Sequence, residues 1–168
     1  YYFEKGIPDD EWFISPGKQG ESVQYYPHFD KKHFLIKSEF DYYADVFYYK
    51  IFSAWDTIGH LLNILYKLKI KRVGFKSAIA KLKSANPNLF KSLKAIVDDP
   101  DFQKANKLRD DITHNYLPST VDSGIDKPSE RKVTFGVGKY TKSAEFYQNV
   151  RASLHLFVKT LECIKQQS

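Results

Sequence analysis

The segment Leu108-Arg109-Asp110-Asp111-Ile112-Thr113-His114-Asn115-Tyr116 carries the densest set of groups able to do chemistry in this chain. Arg109 is a permanent planar cation whose fork can donate two parallel hydrogen bonds to a phosphate. His114 carries an imidazole, the side-chain type best suited to moving a proton in neutral solution. Asp110 can orient either of them, and Asn115 and Tyr116 supply further polar contacts. Geometry argues against a site within one helix. Residues five apart diverge by about 140°, and it is Asp110 that lies beneath His114. The plain alternative makes Arg109 a partner of neighbouring acids and His114 a cap at a helix end.

A second set is the row Tyr49, Phe52, Asp56, Gly59, His60 and Asn63, which steps by three and four along a helical stretch. Polar groups in line on a helix need partners. Flanked by Phe52, Trp55 and the small Gly59, the row reads as a face packed on another helix or subunit rather than as a solvated one. Asp56, His60 and Asn63 are therefore candidates for supporting a site. Other chemistries fit less well. Asp98-Asp99-Pro100-Asp101 is explained as a helix cap whose acids complement the dipole, and no pair of His at i, i+4 beside a Glu is present, so no metal is expected. Cys163, beside Leu161 and Ile164, reads as a packed or half-exposed thiol rather than a nucleophile. Gly136 and Gly138 do not precede a helix as a phosphate loop would. No cofactor is expected.

These groups must be positioned by helices. Phe40, Ala44, Phe47, Ile51, Ala54, Ile58, Leu61 and Leu65 recur every three or four residues and predict a helix from about Ser38 to Leu68. Gly74 breaks the chain. Phe75, Ile79 and Leu82 predict a short helix ending near Asn86-Pro87, and Leu89, Leu93 and Ile96 or Val97 predict another. Asp99 before Pro100 predicts an N-cap and first helical position for a helix to about Asn115. Lys132 to Val137 alternates and predicts a short hairpin or loop insertion. Ser143 then caps a last helix with the stripe Phe146, Val150, Leu154, Phe157, Leu161 and Ile164. Residues 1–29, with several glycines and prolines and no period, read as an irregular arm. The division expected is an arm over 1–37, or the tail of a longer parent given the absence of Met, and a helical bundle over 38–168.

Composition sets the outer limits. At 168 residues the chain can bury a core, and aromatics at 16% weight it towards Tyr and Phe. One Cys rules out an internal disulfide, and no run resembles a membrane span or signal peptide, so a cytoplasmic protein is expected. The net charge of +6, with lysines gathered over 67–76 and 81–94, draws polyanions but encodes no sequence preference.

Arg109 to His114 resembles the Arg-x4-6-His motif of the HEPN superfamily, in which a polar residue often follows the Arg, as Asp110 does here. The upstream helix reading Phe52-Ser53-Ala54-Trp55-Asp56-Thr57-Ile58-Gly59-His60-Leu61-Leu62-Asn63 is similar to the Ser-x2-Asp helix of bacterial HEPN branches. The resemblance spans about residues 38–166 and leaves 1–37 outside. It implies an all-α, four-helix bundle that pairs about a two-fold axis and brings two motifs together. Arg109 of one copy and His114 of the other would then flank one phosphate.

On that resemblance the chain is a metal-independent endoribonuclease. His114 would act as general acid or base towards the 2′-hydroxyl or the leaving oxygen, Arg109 would stabilise charge on the phosphate, and Asp110 would orient them. The partners implied are RNA, a second copy, and a cognate antitoxin or regulatory protein in a toxin or phage-defence setting. The alternative is a catalytically silent HEPN dimer that serves as a nucleic-acid-binding or protein-interaction module.

Overall fold

The computed structural model describes residues 1–9, 28–114, 117–120 and 140–166, together with the backbone pairing of four strands within 13–24 and 123–137. The architecture is the all-α bundle expected. Among the described residues it has five helices, α1 (Lys31–Leu65), α2 (Phe75–Ala85), α3 (Pro87–Val97), α4 (Pro100–His114) and α5 (Ser143–Lys165). Two antiparallel hairpins accompany them: β1 (Phe13–Gly17) with β2 (Gly20–Gln24), and β3 (Ser123–Ser129) with β4 (Lys132–Val137). The second is the hairpin expected before the last helix, with an irregular register between Asp126 and Ser129. The first lies inside the arm read as irregular. There Phe13 pairs with Gln24 and Ile14 with Val23, so short-range pairing overrides the signal of the glycines and prolines.

Helix α1 starts seven residues before the predicted Ser38, because its N-terminus is set by capping and not by apolar period. The ring Nδ1 of His33 accepts the N–H of Asp30 at 3.0 Å, the reciprocal half of a capping box. Phe29 meets Phe34 edge to face at 5.0 Å, as a hydrophobic staple would. At its other end α1 stops at Leu65 rather than Leu68. Lys67 and Lys69 take left-handed backbone (φ 51° and 56°), and the Leu68 N–H folds back to the Asn63 carbonyl at 3.0 Å.

Contacts divide the chain into two compact units, one of Tyr1–Asp45 with Asp110–Tyr147 and one of Val46–Arg109 with Gln148–Ser168. In the first, buried Asp9 accepts from the N–H and hydroxyl of Ser143 at 2.8 and 2.7 Å and from the Tyr140 hydroxyl. The start of α5 is thus capped by a carboxylate from the N-terminal segment. The Ser143 hydroxyl, expected to be the cap, donates to that same carboxylate instead. Lys37, also buried, bridges Asp41 at 2.6 Å and the Ser119 carbonyl at 3.0 Å.

Burial holds the Asp41 carboxyl above its ordinary range even beside Lys37, and it raises half-buried Asp45 to about 6, with the nearby Asp41 charge adding to the effect. A carboxyl with a raised folded-state pKa binds its proton more tightly when folded. Stability therefore falls as pH rises from about 4, the unfolded value, to about 6. Asp45→Asn should raise the melting temperature at pH 7 and leave it unchanged near pH 3.5, as a thermal melt at each pH would register. An equal shift at both would exclude titration as the cause.

The second unit is built around Trp55, which is fully buried. Its ring packs edge to face on Phe52, Phe102 and Phe157 and stacks near Phe75, while its Nε1 donates to the Thr160 hydroxyl at 3.2 Å. One step away, the Tyr48 hydroxyl donates to Asn149 Oδ1 at 2.9 Å, and Asn149 donates in turn to the Asp101 carbonyl at 3.0 Å. From Tyr48–Asn149 to Trp55–Thr160 the contacts advance in the same direction on α1 and α5, so these helices run parallel here. The buried face of α5 is Asn149, Ser153, Leu156 and Thr160. The predicted apolar stripe is only partly inside: Phe146 is buried, but Leu154 and Leu161 are exposed. Buried Tyr and Trp donors on α1 need acceptors, and this need turns the polar positions of α5 inwards.

The short helices follow the expected punctuation. Asn86 ends α2 and caps α3, accepting the Leu89 N–H at 3.0 Å, and Asp99 caps α4 by accepting the Asp101 N–H at 2.9 Å. Among the described residues, no helix is long and apolar enough to cross a membrane.

Candidate functional site

The residue at the N-cap of helix α2 is Gly74, which has no side chain to cap it. The cap comes from α1. Asp56 Oδ1 accepts the Phe75 N–H at 2.9 Å, and the Ser77 hydroxyl accepts the Gly74 N–H at 2.9 Å. The two helices can approach this closely because Gly59 faces Gly74. A Cβ on Gly59 would meet Gly74 C at 2.8 Å and the Phe75 nitrogen at 2.9 Å, both of them backbone atoms that cannot move aside cheaply. Gly59 is thus a spacing residue, and Asp56 holds the start of α2 against it.

Beside this junction the second unit opens a cavity of about 290 Å³, lined by Phe52, Asp56, residues 72–77, Phe102, Asn106 and Arg109. The cavity gathers three cations from three places in the sequence: Arg72 from the α1–α2 connection, Lys76 from the first turn of α2 and Arg109 from α4. The Arg109 guanidinium carbon lies 5.2 Å from the centre of the Phe52 ring, and Lys76 Nζ lies 5.6 Å from that of Phe102. Lys76 also donates to Asn106 Oδ1 at 3.0 Å. Arg109 is half-buried at this wall.

The family comparison matches residues 1–167 to the family described as HEPN_Cthe2314-like HEPN. The chain is a HEPN protein. No curated protein and no solved structure matched the chain. The HEPN match takes in the first 37 residues, which the motif-based resemblance left outside, so the arm with its hairpin belongs to the matched region. Membership makes the chain a nuclease or nucleic-acid-related module of HEPN type, and HEPN domains typically dimerise and bind RNA.

Within this HEPN chain the motif residues occupy one helix, α4, but different units: Arg109 lies in the second, Asp110 and His114 in the first. Asp110 is half-buried, and His114 is exposed in the last turn. Asn115 and Tyr116 lie outside the described residues. Of the row on α1, Asp56 caps α2 and Asn63 accepts the Ile70 N–H at 3.1 Å, so both hold the α1–α2 connection; Tyr49, Asp56 and His60 are nonetheless exposed, so the row is packed only in part. Arg72 and Lys76 were not legible as site residues, because in sequence they are two of many cations in a Lys-rich stretch. The only local signal is Gly74 between them, marking a turn that bends both towards α4. Among the described residues, no three His, Cys, Asp or Glu side chains gather as metal ligands would.

Proposed function

We propose that the chain is a metal-independent endoribonuclease that acts as a dimer through a composite Arg109/His114 site, in a toxin or phage-defence setting with a cognate antitoxin or regulatory protein as a further partner. The observation that supports it most is the placement of the motif on α4: an exposed His114 in the last turn, five residues beyond an Arg109 that lines a cationic cavity. His114 moves the proton at the 2′-hydroxyl or leaving oxygen, Arg109 stabilises charge on the phosphate, and Asp110 orients them. Support for pairing comes from α5, where Leu154, Val158 and Leu161 lie exposed at i, i+4 and i+7. They form an apolar row of the kind a second helix covers.

The test is cleavage of mixed-sequence single-stranded RNA in EDTA, with analysis of the product ends. The expected products carry 2′,3′-cyclic phosphates, DNA resists, and Arg109→Ala and His114→Ala each lower the rate by about 10²-fold or more. Cleavage that is absent, or unchanged in both variants, favours the silent HEPN dimer, a nucleic-acid-binding or protein-interaction module. One observation already leans that way: Arg109 stacks on Phe52, a packing role that a silent protein would also keep.

A further inference from the structure

We propose that the cavity beside Arg109 is a phosphate subsite that holds the backbone of a single-stranded RNA without reading its bases, through Arg72 and Lys76. The proposal rests on RNA as the ligand class of the proposed function, and not on cleavage.

The cavity brings three cations to one wall, from residues 72, 76 and 109, against a single carboxylate. That carboxylate, Asp56, accepts the Phe75 N–H as the helix cap, and the cations are what attract an anion. A phosphodiester fits the donor set. Arg72 offers a planar fork and Lys76 a point charge with donors beyond the one given to Asn106, and both side chains are exposed. The space, about 290 Å³, accommodates a phosphodiester together with bridging waters.

Base recognition is disfavoured by the same geometry. A base would need an open aromatic face to stack on. The aromatics of this wall are Phe52, Phe75 and Phe102, all buried, with Arg109 over the first and Lys76 over the last. With its rings buried and two of them already paired with cations, the cavity is left to contact the strand through charge. The preference it confers is therefore for charge and strand flexibility and not for sequence.

The test is a fluorescence-anisotropy titration of the full chain, in EDTA, with 2′-O-methyl oligonucleotides of U alone and of A alone, from 50 to 200 mM NaCl; the blocked 2′-hydroxyl removes cleavage from the readout. Arg72→Ala/Lys76→Ala is compared with Lys81→Ala/Lys83→Ala, which removes the same charge from exposed positions outside the cavity. Arg72→Gln/Lys76→Gln repeats the test with side chains closer in length. The cavity variants should bind both oligonucleotides roughly tenfold more weakly at 50 mM NaCl. Their slope of log K against log salt should be shallower by about 1.4, or about 0.7 for each phosphate no longer neutralised. The control pair should weaken binding by less than about threefold. An equal loss of affinity in the control would show diffuse attraction and overturn the subsite, as would a loss confined to one base. Binding of the 2′-O-methyl strands with no cleavage of unmodified RNA would sink the nuclease reading alone, whereas no binding by any protein would sink this subsite and the RNA ligand together.

Discussion

Mixing Arg109→Ala protein with His114→Ala protein is expected to restore cleavage that neither shows alone, to about a quarter of the wild-type rate. A two-fold dimer with composite sites has two of them, each taking Arg109 from one copy and His114 from the other. In a mixed dimer both substitutions fall in one site and the other is intact. Random exchange of subunits makes about half the dimers mixed, and each of these has one of its two sites working. Each variant alone should retain no more than about 1% of the activity. The contrast is therefore at least about 25-fold, and it is read by following the rate as the mixing ratio is varied, with a maximum near equal amounts. If the motif worked within one chain, every ratio would stay at the level of the parents, and the composite assignment would fail even though both residues were essential.

Trp55→Ala should cost about 3–5 kcal/mol, a large share of the roughly 5–15 kcal/mol that stabilises a typical domain. The ring is fully buried and touches Phe52, Phe75, Phe102 and Phe157, so its removal leaves a hole bounded by four other rings that belong to four different helices. It also takes away the donor that the Thr160 hydroxyl accepts from, leaving that hydroxyl only its bond to the Leu156 carbonyl at 2.8 Å. Urea denaturation should show the loss of stability, and the melting temperature should fall by roughly 10 °C. Trp55→Phe keeps most of the apolar area and loses the hydrogen bond, so a cost of about 1–2 kcal/mol is expected. Equal costs for the two variants would mean that the hydrogen bond, and not the packing, secures the core. A cost below about 1 kcal/mol for Trp55→Ala would place the centre of the unit elsewhere.

These two expectations depend on different parts of the chain's information. The motif was legible directly, since Arg109 and His114 are named by residue type and spacing, and the Asp99-Pro100 start of their helix is a local signal. So were the breaks at Gly74 and Asn86-Pro87 and the hairpin before the last helix, each specified by residues within a few positions of one another. The early start of α1 was also local, but it depended on His33 and Phe29 acting as cap and staple, roles more often filled by other residue types.

By itself, then, the sequence determined the order of the helices, the hairpin before the last of them and the identity of the motif, because propensity, capping and periodicity act over a turn or two of chain. What the tertiary structure decided is which faces are inside. Asn149 and Thr160 turn inwards on α5 because buried Tyr48 and Trp55, more than a hundred residues away, must place their hydrogen bonds, and Leu154, Val158 and Leu161 are left outside as a consequence. Asp56 became a cap for α2 and Asp9 a cap for α5 across gaps of 19 and 134 residues. The joining of Arg72 and Lys76 to the wall of Arg109 has the same origin. It follows from the close approach of Gly59 to Gly74 and from α4 lying on Phe52, contacts between positions that have no relation of spacing in the chain.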